Sequence, residues 1–588
     1  MVNMHWTNIY RALPRPADAA PDYGAWRRLS LTGLRYFGLL LALFSVCYYF
    51  LDWLVGEARY FRTLQLYYSR LLVLGIGAIV GYLVLGHWLV FKGVVARFLF
   101  ESVAPQLLAL LRMALLFKLA GHLFYYVPTH LAAAAAMPYE ARAGLPYANW
   151  YIQLLPINPD LYQVVSILGG VSCLLAGVGL FTRPSLIVAT LAIFYVLGVP
   201  NFYGKVNHTH FMLWAPAILA FSPAGAALSI DAWWRYRRDG TLVRQPHYAY
   251  GLPLKVILLQ LGFVYFFSAI GKLWLGGLQW ALSDNLIHLM HLEWLEQYDK
   301  IPALRIDRYP WLCRLGAMGV ICFELLYIFL ILTPVTRVVA LVGAIGFHGI
   351  TGYFLTINFK FLQLLNALSL NFWAIYARLW RGLPVLVGWL VGGILFFLFR
   401  TIDFIGGLVF LFGLFAFWQV RRPEPAPFSP VVVLPARLFT PLVVGLLSFN
   451  FLFGLNQITS WPFSAYPSYS FVRTGEVRYV WFIPQTATGD TLDLNQLGQQ
   501  AAYRKENILP LAEQAVNLWN QQDTIAFRKH TLNYWLLFRE QLPALKAATG
   551  AAVVLQEFST NPDSLAAPRW EVKIGEISRQ AGEWQLQF

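Results

Sequence analysis

Two ionisable residues stand inside apolar runs, where lipid would not tolerate them. Residues 311–361 read WLCRLGAMGVICFELLYIFLILTPVTRVVALVGAIGFHGITGYFLTINFKF, two apolar runs joined by the turn Thr333-Pro334-Val335-Thr336-Arg337. Each run approaches the ~20 residues that cross a bilayer. Glu324 lies in the first run and His348 in the second, both ~15–18 Å from the turn by helical rise. Antiparallel partners at matching depth can meet. An ionisable group at that depth costs on the order of 2.5 kcal/mol or more, so it faces protein or water, and function is the default hypothesis. The structural alternative is a Glu–His hydrogen bond that only locks the hairpin.

Three further clusters carry reactive side chains. NFYGKVNHTH places Lys205, Asn207, His208 and His210 in one short loop. A buried lysine loses its proton more easily and can act as a base. The alternative is an interfacial loop whose lysine snorkels to water. Two histidines at alternate positions with no third ligand do not make a metal site. YFFSAIGKLWLGG holds Tyr265, Ser268 and Lys272, with Ser268 and Lys272 one helical turn apart. Here too, snorkelling of Lys272 is the structural alternative. In an earlier run Lys118 and His122 are one turn apart and Arg112 precedes them; a helix-to-helix bond accounts for these. His122, Lys205, His208, His210 and Lys272 fall in one half of the membrane, with Glu324 and His348 just below. Scattered snorkelling residues would spread over both faces, so the bias favours a shared pocket.

The elements that must position these groups are helices. The chain is 58% hydrophobic and only 12% charged, about half the charged share of a soluble domain. The 22 Trp and 31 Tyr suit bilayer interfaces. The pattern predicts an all-α polytopic membrane bundle of about 13 spans with a small C-terminal α+β extramembrane domain. Spans are expected near 33–55, 71–91, 104–126, 161–182, 185–200, 211–228 and 254–275. Six more are expected near 311–333, 338–357, 362–378, 384–399, 404–419 and 438–456. Residues 1–30 read as a polar cytoplasmic segment with no cleavable signal pattern, 31–456 as the transmembrane domain and 457–588 as an outer-face α+β domain. In that last domain strands are expected at 476–484, 551–558, 570–577 and 584–588, and helices at 494–521 and 524–549. The net charge of +15 recurs as Lys and Arg in short loops, which is a topology signal and gives no reason to invoke nucleic acid. It puts the N-terminus in the cytoplasm and the C-terminal domain outside, in the inner or plasma membrane of a cell. Cys47, Cys173, Cys313 and Cys322 lie in or beside apolar runs, so no disulfide framework is expected. No internal repeat is evident.

With these stretches in order, the chain resembles the vitamin K-dependent gamma-carboxylase family and its bacterial relatives with the horizontally transferred transmembrane (HTTM) domain. The resemblance rests on the Lys205…His208/His210 loop, SPAGAALSIDAWW, YFFSAIGKLWLGG…W and FELLYIFLILTPVTR…GFHGITGYFLTINFKF, and covers roughly residues 100–375. It implies a pocket for a reduced vitamin K-like quinone, with O2 and CO2 as co-substrates. In the carboxylase, oxygenation of the hydroquinone yields a strong base that removes a γ proton from a peptide Glu, and CO2 adds. A family lysine acts as base on the hydroquinone, and Lys205 is the nearest match. A family histidine follows it, and the hairpin histidine matches His348.

The expected function is therefore that of an integral membrane enzyme, a carbon–carbon lyase or quinol epoxidase, working in the bilayer on a lipophilic quinone and a secreted Glu-containing polypeptide. Lys205 would be the base, and His208 or His210 would position oxygen. His348 with Glu324 would set the protonation of the pocket. Lys272, Ser268, Tyr265, Asn207 and His122 would bind substrate. A non-enzymatic membrane assembly factor that grips a secreted partner is the alternative. A transporter fits less well, because polar groups are scarce in the other half of the membrane.

Overall fold

A computed structural model of the chain describes residues 23–55, 61–131, 135, 156–202, 210–240, 245–296, 301–357, 359–369, 436–464, 469–488, 490–491, 509–541, 545, 547–564, 569–580 and 583–588. Among these, the membrane part is helical throughout: α1 (Tyr23–Val55), α2 (Phe61–Leu85), α3 (Trp88–Leu99), α4 (Pro105–Gly121), α5 (Pro159–Val178), α6 (Thr182–Gly198), α7 (His210–Ala220) and α8 (Ile230–Asp239). There follow α9 (Tyr248–Gly271), the short α10 (Gln279–Leu282), α11 (Asn285–Glu296), α12 (Pro310–Leu330), α13 (Pro334–Phe354), α14 (Lys360–Ser369) and α15 (Ala436–Leu455). Both α4 and α9 run on into π-helical turns, His122–Leu131 and Lys272–Gly276.

The expected count of about 13 spans is not supported. Among the described residues seven helices are long and apolar enough to cross a membrane. The expected spans at 185–200, 211–228 and 438–456 are present as shorter apolar helices, below the ~20 residues that cross a bilayer. Of the expected 362–378 span, residues 362–369 belong to the short helix α14 and 370–378 lie outside the described residues. The expected spans at 384–399 and 404–419 lie outside the described residues.

Burial decides which helix is central. In α9 and its extension the most apolar window is 78% buried, whereas that of α1 is 6% buried. A helix apolar on all sides belongs in the core, and α9 packs against α3, α4, α7, α12, α14 and α15. At one end of the bundle, polar anchors fix this arrangement. Arg112, fully buried on α4, donates to the carbonyls of Ala224 and Leu228 at 2.6 Å each. Asp231 accepts from the backbone N–H of Phe181 and Thr182 and from the Thr182 hydroxyl, at 3.0, 2.8 and 2.6 Å. Ser229 caps α8 through the Ala232 N–H. Gly179, at φ 75°, ends α5 so close to Ser229 that an added Cβ would lie 2.2 Å from the serine Cβ. The SPAGAALSIDAWW stretch is thus a bracket that satisfies helix-end backbone groups. Nearby, Glu101 accepts from Lys255 on α9 and Arg337 on α13, both at 2.6 Å, and both cations sit about 5 Å from the Phe98 ring. Burial pushes the Glu101 carboxyl up, but Lys255 and Arg337 outweigh it and hold the group below its ordinary value.

The C-terminal region is a small sheet domain. After a two-stranded ribbon, β1 (Thr459–Ser460) with β2 (Phe463–Ser464), four antiparallel strands follow: β3 (Glu476–Gln485), β4 (Gly550–Ser559), β5 (Trp570–Gln580) and β6 (Glu583–Gln587). They lie in the order β3-β4-β5-β6. Two helices, α16 (Leu509–Asn520) and α17 (Thr524–Gln541), pack on the sheet, with Tyr534, Trp535 and Phe538 ringing Phe482. Expected helix 494–521 is observed only from Leu509, because 492–508 lie outside the described residues.

Two sets of bonds clasp this domain to the bundle. Segment 469–475 lies against α10 and α11: the Trp280 indole donates to the Tyr469 carbonyl, Tyr469 OH donates to Glu293 at 2.6 Å, and the Arg473 N–H to Asn285 at 2.7 Å. Further along, Arg305 binds Asp307 at 2.8 Å and Asp563 at 3.1 Å, and His291 meets Asp307 at 3.0 Å. Burial raises Asp307, but Arg305 and His291 outweigh it and hold the carboxyl below its ordinary range. Burial lowers His291, and its bond to Asp307 does not restore it. Both groups bind fewer protons folded than unfolded: the His291 contribution is present above the ordinary histidine value and is lost as pH falls below it, whereas that of Asp307 is lost only below the ordinary carboxylate value. Limited proteolysis of residues 457–588 should therefore accelerate as pH drops from about 7.5 to about 5.5, through the ordinary histidine pKa of ~6.5. His291→Gln should flatten that change; a wild-type rate constant over this range would refute the clasp.

Candidate functional site

Three helices supply one polar cluster. On α9, Tyr265, Ser268 and Lys272 recur at spacings of three and four, which puts them on one face. On α12 the same periodicity aligns Gly316, Val320 and Glu324. His348 projects from α13. All of these except one expected pairing come together. Glu324 and His348 line the same cavity, but each is bonded elsewhere, so the expected Glu–His bond is not what joins the hairpin.

Glu324 pairs with Lys272. The ammonium lies 2.8 and 3.0 Å from the two carboxylate oxygens and 2.7 Å from the Ser268 hydroxyl. Both side chains are about 5% exposed. Lys272 therefore does not snorkel: Trp280 covers it, with the ammonium 5.4 Å from the ring centre. Three donors on the ammonium meet three oxygens, which is the condition for burying such a charge.

His348 pairs with Tyr265, at 2.5 Å between Tyr265 OH and His348 Nε2. Asn366 on α14 orients the pair. Its amide nitrogen donates to the Leu362 carbonyl at 2.8 Å, so that end of the amide must be the nitrogen. The same nitrogen lies 3.5 Å from Tyr265 OH, and the amide oxygen accepts from Tyr327 OH at 2.6 Å. With Asn366 donating to Tyr265, the tyrosine proton points at Nε2, and the remaining imidazole proton belongs on Nδ1. The result is a polarised row, Tyr327–Asn366–Tyr265–His348, that ends in a histidine whose Nε2 accepts from Tyr265.

Both pairs face one cavity of about 180 Å³. Its walls are otherwise apolar: Met290, Cys313, Phe347, Phe354 and Phe359 contribute, with Tyr469 of the C-terminal segment as a side. From α12 and α13 come only residues remote from the Thr333–Pro334 turn, Leu312 to Glu324 and Phe347 to Phe354. The cavity thus occupies the half of the hairpin nearer the C-terminal domain. Leu312 and Ile350 line it and are 40% and 60% exposed, so the space between α12 and α13 leads outward to the lipid-facing side. No group of three or more His, Cys, Asp or Glu side chains that could hold a metal occurs among the described residues.

The remaining expected site residues behave differently. His210 is fully buried at the start of α7, its ring against Phe211 at 4.5 Å. His122 is half-buried in the π-helical turn and stacks on Tyr126 at 4.6 Å. Neither lines this cavity. Lys205, Asn207 and His208 lie outside the described residues. Tyr327, Asn366 and Tyr469 were not anticipated. Tyr327 had a signal, since it follows Glu324 by one helical turn. Asn366 and Tyr469 are ordinary polar residues in sequence, and only packing brings them in.

A buried pair broken on one side leaves a bare charge, at a cost of about 3–5 kcal/mol. Glu324→Ala should lower the unfolding free energy by roughly that amount, and Lys272→Met with Glu324→Leu should restore most of it. Thermal unfolding in detergent tests this. A double variant that loses more than Glu324→Ala would mean that the pair is not coupled.

Comparison with known proteins bears on the membrane part. Residues 100–373 match the HTTM domain family model, a stretch that includes Tyr265, Lys272, Glu324, His348 and Asn366. No curated protein and no solved structure matches the chain.

Proposed function

We propose that this integral membrane protein binds the reduced ring of a quinone-like lipid in the cavity and takes a proton from its hydroxyl. The observation that carries the reading is the convergence of Lys272–Glu324 and Tyr265–His348 on one apolar space that opens toward lipid. The cavity volume of about 180 Å³ suits a ring system, since an apolar cavity of ~150 Å³ admits benzene. An isoprenoid tail would leave between Leu312 and Ile350. Lys272 would stabilise a phenolate in a low-dielectric site, where a fixed charge acts strongly. Tyr265 would relay the proton: its hydroxyl oxygen takes the quinol proton as it passes its own proton to His348 Nε2.

The resemblance to the gamma-carboxylases supports a finer proposal. Hydroquinone and O2 would give quinone epoxide and water, and carboxylation of a Glu side chain on a secreted polypeptide would follow. On that reading Lys205 is a second base and His208 positions oxygen. The Lys/Arg-rich end would be cytoplasmic and the sheet domain outside. One observation favours a non-catalytic assembly factor instead: Lys272 is already matched by three protein oxygens, as a purely structural charge would be.

The two readings separate in one assay. Protein in nanodiscs is given reduced naphthoquinone, oxygen and labelled CO2, with epoxide and fixed carbon measured. The enzyme reading predicts bound naphthoquinone and epoxide, reduced on the order of 10²-fold in His348→Ala, as for loss of a general base. Absence of naphthoquinone binding by wild type rejects it in favour of the assembly factor.

A further inference from the structure

A second, larger cavity lies on the other side of the same two helices. Phe266 and Leu325, next in sequence to Tyr265 and Glu324, help to line a groove of about 710 Å³ shared with α1, α2 and the start of α13. Its depth is informative. Along α1 it runs from Arg27 to Phe37, ~15 Å, and along α12 from Thr333 back to Leu325, ~12 Å. That is about half of a ~30 Å hydrocarbon core. A groove of that depth matches a lipid of one leaflet rather than a helix that crosses both.

The mouth is chemically distinct from the floor. Among the lining residues Arg27 alone carries a charge, and no acidic residue contributes. Arg27 is exposed in the first turn of the α1 span, at the level of the interface. Ser30, one turn on, lines the same wall. The N-terminus of α13 opens at this level too, and Thr333 makes no side-chain bond to its first N–H groups. A cation, a hydroxyl and a positive helix end around one opening complement a phosphate. Below them the walls are Leu, Ile, Val and Phe.

We infer that this groove is a binding site for an anionic glycerophospholipid of the leaflet at the Lys/Arg-rich end, with its phosphate at Arg27 and an acyl chain against Phe266 and Leu325. The site is independent of any ligand in the smaller cavity. Because its floor is the reverse face of α9 and α12, the lipid would also support the helix pair that carries Lys272 and Glu324.

The full chain is reconstituted in nanodiscs of equal phosphatidylglycerol and phosphatidylcholine, released, and read by native mass spectrometry. Wild type should retain phosphatidylglycerol over phosphatidylcholine by about fivefold, the discrimination one interfacial cation supplies. Arg27→Gln, a change at an exposed position, should bring the ratio to parity. Leu34→Trp, which enlarges a side chain of the groove wall, should lose the retained lipid while keeping the wild-type unfolding midpoint in lipid-free detergent. Equal retention of the two lipids by wild type overturns the proposal. So does an unchanged ratio in Arg27→Gln, or displacement of both lipids by an added prenylated quinone.

Discussion

The arrangement of the membrane domain rests on one buried ion pair. Lys272 and Glu324 sit on two helices in apolar surroundings, each about 5% exposed. Either charge alone would be expelled from such a place or neutralised. Together with Ser268 and the face of Trp280 they satisfy each other, and that requirement fixes the rotation and depth of α9 relative to α12. Everything else at the site follows from this alignment. It turns Tyr265 toward His348, and it leaves Gly316 and Val320 to line a space rather than to fill it.

The two ends of the bundle are built on different principles. At the turn end, charges are spent on the backbone and on each other: Arg112 on two carbonyls, Asp231 on two N–H groups and a hydroxyl, Glu101 on Lys255 and Arg337. These contacts close helix ends. At the other end, α12 and α13 enclose a volume, and polar groups point into it. The C-terminal domain contributes Tyr469 to that wall and is held by the Trp280, Glu293 and Asn285 bonds.

The stretches on which the resemblance to an enzyme family rests fall within residues 100–373, which match the HTTM domain family model. They do not make the same demands of each residue. SPAGAALSIDAWW, prominent in the resemblance, is a structural bracket around Arg112 and Gly179. The hairpin and the α9 motif, by contrast, contribute the side chains that meet in the cavity. His122 and His210 look as reactive as His348 in sequence, yet they pack against rings away from it.

Much was legible beforehand because it depends on local rules. Hydropathy marks the long helices, alternation marks β3 to β6, and an ionisable residue in an apolar run marks Glu324 and His348 before any packing is known. Spacing alone put Tyr265, Ser268 and Lys272 on one helical face. What hydropathy could not decide was which apolar runs are long enough to cross, because a short apolar helix such as α7 is buried among its neighbours along nearly its whole length. Nor could it decide who pairs with whom. Equal depth suggested Glu324 with His348, whereas rotation about the helix axes gave Glu324 to Lys272 and His348 to Tyr265. Depth is a property of one helix and can be counted along the chain; rotation is a relation between helices, set only when their side chains interlock.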